Sequence, residues 1–88
     1  MAAPDRGGAG SAMRQLVLHI ARGLVREPGR VRVNEHEAGE RTILELEVAP
    51  ADLGRVIGRD GRTAGALRTL VEALARRKGR SFVLEILD

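Results

Sequence analysis

The stretch VIGRDGRTAG, Val56 to Gly65, sets two glycines three apart, and with Arg55 just ahead of it Arg59 and Arg62 make three arginines within eight residues. The chemistry available there is main-chain and ionic. Residues without Cβ let a bulky anion approach the backbone, and free N–H groups at the start of a following helix, aided by its dipole, point toward that anion. Arg59 and Arg62 add charge-assisted contacts. The spacing alone means little in a chain with eleven glycines, since Gly7 to Gly10 repeats it. Its placement means more: it lies between two helical patterns and runs into the small residues Ala64, Gly65 and Ala66. Gly65 would cost a helix interior about 1 kcal/mol relative to alanine, a loss that close approach of another group would explain.

No catalytic arrangement competes with this loop. A nucleotide phosphate loop needs G-x-x-x-x-G-K-[ST] after a strand, whereas this turn follows a helical pattern and lacks the lysine and hydroxyl. Ser11 falls in a small-residue tail and Ser81 opens a strand pattern, neither beside a histidine. His19 falls on the polar side of the first helix, and His36 is expected in a hairpin turn. Glu35, Glu37, Glu45 and Glu47 alternate along strands and are expected to face outward. There is no cysteine, hence no disulfide frame or thiolate metal site. The reading calls for no enzyme activity, no cofactor, no metal and no small-molecule substrate.

The elements that must position the loop follow from periodicity. Met13, Leu16, Val17, Ile20, Ala21 and Leu24 recur at helical steps, with Ser11 as the expected cap and Pro28 and Gly29 beyond the end. VRVNEHE and RTILELEV form a hairpin through Ala38 and Gly39, with Leu44, Leu46 and Val48 inward and Glu45 and Glu47 outward. Pro50 opens a short helix over PADLGRVI. After the glycine turn Leu67, Leu70, Val71, Leu74 and Ala75 make a second stripe, closed by Gly79, and RSFVLEIL is a strand with Phe82, Leu84 and Ile86 on one face. The order helix-strand-strand-helix-helix-strand predicts an α+β fold, a three-stranded sheet with three helices on one face.

Eighty-eight residues make one domain. Residues 1–12 are expected to form a flexible tail and 13–88 the domain. No apolar run nears the roughly 20 residues that span a bilayer, and the N-terminus has no secretory apolar block, so the expectation is a cytoplasmic protein without a membrane partner. The net charge of +3 is divided unevenly. From Glu27 to Asp52 seven acids face three arginines. From Leu53 to Arg80 eight bases (Arg55, Arg59, Arg62, Arg68, Arg76, Arg77, Lys78, Arg80) face only Asp60 and Glu72. A cationic segment around the glycine turn fits a polyanion.

At this point the chain resembles a KH domain of the bacterial type II arrangement, and more narrowly the small single-domain proteins of the KhpA (YlqC) family. The resemblance runs from Met13 to Asp88 and is carried by VNE, LELEVAP, DLGRVIGRDGRTAGALRTL and VLEILD. It implies single-stranded RNA binding in a shallow groove, with Gly58, Arg59, Asp60 and Gly61 holding the sugar-phosphate backbone of about four nucleotides. Val56 and Ile57 before the loop, and Arg62, Thr63 or Ala64 after it, would border the groove. Arg76, Arg77, Lys78 and Arg80 in the last loop become phosphate contacts. Ala64 stands where the broader KH pattern has isoleucine, and Asp60 places an acid in the clamp; its capping preference assigns it to the N-terminus of the following helix. The resemblance further implies an RNA chaperone or post-transcriptional regulator linked to cell elongation and envelope homeostasis, and self-association or pairing with a larger KH protein (KhpB, Jag). The residues offer one independent check. RNA modules that stack bases on aromatic platforms need exposed rings, and Phe82 stands alone on an inward face, which leaves an aliphatic groove. The competing reading is a non-catalytic scaffold, with Arg14, Leu18, Arg22 and Val25 on the first helix as the partner interface and the partner doing most of the RNA binding.

Overall fold

The computed structural model describes residues 8–88, with side chains from Ala12 onward. Helix α1 (Gly8–Leu24) lies on a hairpin of β1 (Arg32–Ala38) and β2 (Arg41–Glu47). A single 3-10 turn at Pro50–Asp52 leads into the short α2 (Leu53–Ile57), a second turn covers Arg59–Gly61, and α3 (Arg62–Arg77) is followed by β3 (Ser81–Ile86). This is the expected order.

The first helix differs at both ends from the sequence expectation. It starts at Gly8, so Ser11 lies inside it instead of capping it, and residues 8–12 of the expected tail are helical; the remainder of that tail, residues 1–7, is outside the described residues. Small residues weaken a helix without forbidding it. The helix closes at Leu24, before the expected stop, and Pro28–Arg30 forms its own 3-10 turn.

β1 pairs antiparallel with β2 across a two-residue turn, Gly39–Glu40, and β2 pairs parallel with β3, with Leu44 opposite Leu84. The sheet order is β1-β2-β3, so β2 is central and β3 is an edge. The parallel pair follows from the crossover: a chain leaving the end of β2 is carried back by the helices and re-enters at the opposite end of the sheet, beside the start of β2.

One face of the sheet makes the core. Thr42, Leu44 and Leu46 of β2, Val33 of β1, and Phe82 and Leu84 of β3 are buried against Met13, Val17 and Ala21 of α1 and Leu67, Val71 and Ala75 of α3. Alternation predicts this for β2 and β3. On β1 it gives the opposite of the expectation for two acids: Glu35 and Glu37 share the phase of buried Val33, so they lie on the helix side toward the hairpin end, where Glu35 is half-buried. His36 is also displaced from its expected place. It sits within β1 opposite Ile43, its Nε2 3.4 Å from Glu45 Oε2.

Candidate nucleic-acid interface

The loop between α2 and α3 is built from backbone conformations that few side chains accept. Gly58 has φ 78° and ψ 170°, and its N–H closes α2 on the Gly54 carbonyl at 2.9 Å. A Cβ there would collide with Thr63 Oγ1 and lie 2.9 Å from the Thr63 backbone nitrogen. Only glycine fits. Gly61 has φ 74° and donates to the Gly58 carbonyl at 3.1 Å, but a Cβ at that position meets open space.

Between them Asp60 is left-handed, φ 56°, the one described non-glycine residue with positive φ. This overturns its assignment as the helix cap. Gly61 occupies the N-cap of α3, no side chain caps that helix, and Asp60 is exposed one residue earlier. Aspartate tolerates the left-handed region better than most residues, which accounts for its presence without a capping bond. The start of α3 therefore has no side-chain cap; the Gly61 and Arg62 amides are closed on the Gly58 and Arg59 carbonyls, and the exposed Arg59 and Arg62 flank the turn.

Of the two residues expected to border the groove ahead of the loop, one is core. Val56 is fully buried, whereas Ile57 is 36% exposed and lines the surface. Beyond the loop, Thr63 is half-buried and Ala64 is buried. Arg76, Arg77, Lys78 and Arg80 are all exposed, but they sit at the far end of α3. That helix has 16 residues, which puts them about 24 Å from the glycine loop. Lys78 and Arg80 share a shallow depression with Glu37, Glu40 and Arg41 at the hairpin tip, and Arg76 and Arg80 border another with Glu72 and Phe82. The two halves of the expected contact set are thus joined only along the flank of α3.

On that flank lies Arg68, absent from the expected contact set. Its Nε donates to the Leu84 carbonyl of β3 at 3.2 Å. The signal was in the spacing, because Gly61, Gly65 and Arg68 share a helix side at steps of four and three. Arg55 is held differently: its Nε is 3.5 Å from Oδ1 of Asp52, a carboxylate that is 2% exposed. Asp52 accepts the backbone N–H groups of Arg26 (Oδ1) and Glu27 (Oδ2), each at 3.1 Å, and so ties the end of α1 to the start of α2.

Charge divides the molecule by face. The outer side of the sheet carries Glu45, Glu47 and Glu85, with Glu45 and Glu85 directly opposite in the parallel register. Arg32, opposite Glu47, and Arg41 share that face, so its acidic excess is small, whereas the loop and α3 carry a clear excess of bases. Phe82 is 5% exposed, so the sheet offers no aromatic platform. No group of three or more potential metal ligands occurs among the described residues, and none of their helices is long and apolar enough to cross a membrane. The strip expected on the first helix is more engaged than its sequence implies, and Val25 falls just past the end of α1. Arg14 Nη1 donates to the Val33 carbonyl at 3.3 Å, and Leu18 and Val25 are half-buried against the core; Arg22 is exposed.

An α-β-β-α-α-β chain with a mixed sheet, one helical face and a Gly-x-x-Gly turn between its last two helices is a type II KH domain. The chain belongs to the KhpA/KhpB KH-domain family, whose model matches residues 14–86. It is 50% identical over 76 residues to the RNA-binding protein KhpA of Halalkalibacterium halodurans, covering 86% of this chain and 100% of that one. Its identity to the RNA-binding protein KhpA of Aquifex aeolicus is 46% over 78 residues, covering 89% of this chain and 99% of the relative. A solved structure, a point variant of Era from Aquifex aeolicus bound to GDP and aluminium fluoride, matches with a TM-score of 0.61 at 19% identity, over 98% of this chain and 31% of that one. At that identity the likeness bears on the fold alone.

Proposed function

We propose that this domain binds single-stranded RNA without catalysis, gripping the sugar-phosphate backbone at Gly58–Gly61 and the uncapped start of α3. The observation that carries this reading is the loop itself. Gly58 is sterically obligatory, the helix start behind it has no side-chain cap, and Arg59 and Arg62 stand exposed on either side. A phosphodiester meets main-chain donors, a helix dipole and two guanidinium groups at one place. The names of the KhpA relatives, RNA-binding proteins, agree with it. Ile57 then borders the loop as an exposed aliphatic side chain, with no exposed ring beside it, which fits weak and broad sequence preference.

The same reading extends to a role as RNA chaperone or post-transcriptional regulator in the cytoplasm, with links to cell elongation and envelope homeostasis. One clamp of about four nucleotides binds modestly, and Asp60 lowers its affinity further. A homodimer, or a complex with a larger KH protein, would gain avidity by presenting two clamps. The exposed carboxylate of Asp60 also favours the second reading, in which this domain serves chiefly as scaffold and its partner holds most of the RNA.

Salt dependence separates the two. RNA binding through three to five phosphate contacts gives a log-log slope of about −0.7 per contact. Arg59→Asp should abolish binding of a short unstructured oligoribonucleotide while the melting temperature stays near that of the native protein. Undiminished binding by that variant would refute the clamp, and absence of binding by the native domain would favour the scaffold.

A further inference from the structure

Arg68 is exposed, yet it reaches from the middle of α3 to the Leu84 carbonyl. β3 is an edge strand, paired through β2 only. The Leu87 amide bonds to the Leu46 carbonyl, so odd-numbered residues turn their main-chain groups toward β2. With a period of two, Phe82, Leu84 and Ile86 turn theirs to the open edge. Arg68 therefore bridges α3 and the free edge of β3.

Gly65 adds an independent observation. A Cβ built there would meet nothing within 4 Å. Helix packing thus gives no reason for a glycine at the end of the first turn of α3, where it weakens the helix. Gly61, Gly65 and Arg68 lie on one side of α3, with open space at both glycines and the Leu84 carbonyl of β3 beside Arg68. Arg68 lies about 10 Å along the helix axis from Gly61, a span of a few nucleotides.

We infer that Arg68 reads a base, favouring an edge that presents two adjacent acceptors. This rests on the RNA-binding reading above. With Nε engaged by Leu84, the guanidinium plane is fixed and its two other nitrogens form a planar fork of donors. Such a fork matches paired acceptors and not an acceptor beside a donor. In an unpaired strand guanine offers N7 and O6, and cytosine offers N3 and O2. Adenine places an amino donor beside each acceptor on its exposed edges, and uracil separates its carbonyls by an N–H. The nucleotide facing Arg68 is therefore guanine or cytosine in preference to adenine or uracil.

The test uses the full chain and uridine heptamers with G, C, A or U at the centre. The native protein should bind the G- or C-centred oligomer at least about fivefold more tightly than the A- and U-centred ones. Arg68→Ala should erase that preference, its loss of affinity being at least about fivefold larger for the G- or C-centred oligomer than for the all-uridine heptamer. Arg68→Lys keeps the charge and loses the fork, so it should also lose the preference, and it decides the matter if the alanine variant melts much lower. Whichever of the G- and C-centred oligomers binds more tightly assigns the base, and a central 7-deazaguanosine checks guanine, whose affinity should then drop to the uridine level. Equal binding of all four oligomers by the native protein would overturn the inference and leave the clamp intact. Uniform weakening by Arg68→Ala with a shallower salt slope would overturn it in favour of a phosphate contact. Failure of the native protein to bind any heptamer would overturn the RNA-binding reading and this inference with it.

Discussion

The Asp52 carboxylate holds the Glu27 amide at 3.1 Å across 25 residues of chain, and with the Arg26 amide on its other oxygen it fastens the first helix to the segment that carries the glycine loop. The group is 2% exposed, and no polar side-chain atom buried with it among the described residues lacks a partner. Removing it takes the acceptor from two backbone donors whose bonds are part-buried. Asp52→Ala should cost about 2–3 kcal/mol of unfolding free energy, measured by urea titration, and Asp52→Asn should recover part of it because its amide oxygen still accepts one bond.

The two loop glycines should not be equivalent. Gly58→Ala meets Thr63 backbone and a glycine-only conformation together, and should destabilise by at least about 3 kcal/mol. Gly61→Ala meets only its positive φ, at about 1–2 kcal/mol. Denaturant midpoints for the pair check the difference.

Asp60 is exposed and does not cap the helix, so its charge is dispensable to the fold, and on the proposed clamp it should oppose RNA binding. Asp60→Asn keeps a side chain tolerant of φ 56° and removes a repulsion of about 0.6 kcal/mol at 7 Å in water. RNA affinity should rise roughly threefold at low salt, with the melting temperature unchanged, as read by fluorescence anisotropy and thermal melts.

Gly65 poses stability against binding. Alanine fits the open space there and should add about 1 kcal/mol, or several degrees in melting temperature. The same methyl narrows the open space on the side of α3 that carries Arg68, so RNA affinity should fall as stability rises. A stabler variant with unchanged affinity would remove Gly65 from the binding surface.

Much of this was legible in the chain. Alternation placed Leu44, Leu46, Phe82 and Leu84 inward because a one-residue slip would expose all of them. The helix-turn-helix around Gly58 was legible because glycine, proline and apolar spacing all agree there. Four features were not. The burial of Val56 rather than Ile57 depends on how five residues of helix are turned against α3, and so short a helix has too few turns to fix a stripe. His36 was misplaced because the turn needs only Gly39 and Glu40, fewer residues than its polar neighbourhood implies. Asp60 was read from capping preference, which says nothing about a left-handed pair closing the loop. Asp52 was invisible as a clamp, since its partners are main-chain groups of Arg26 and Glu27, and main-chain donors leave no trace in residue type.

The most direct test of the account is an amide-resolved NMR titration of the native chain with a short unstructured oligoribonucleotide at low salt. The backbone N–H signals of residues 58–64 should shift most, with those along α3 as far as Arg68 following, and the shifts should collapse as salt is raised. Saturation of the RNA with those amides unmoved, or with the largest shifts on the acidic outer face at Glu45 and Glu85, would contradict it.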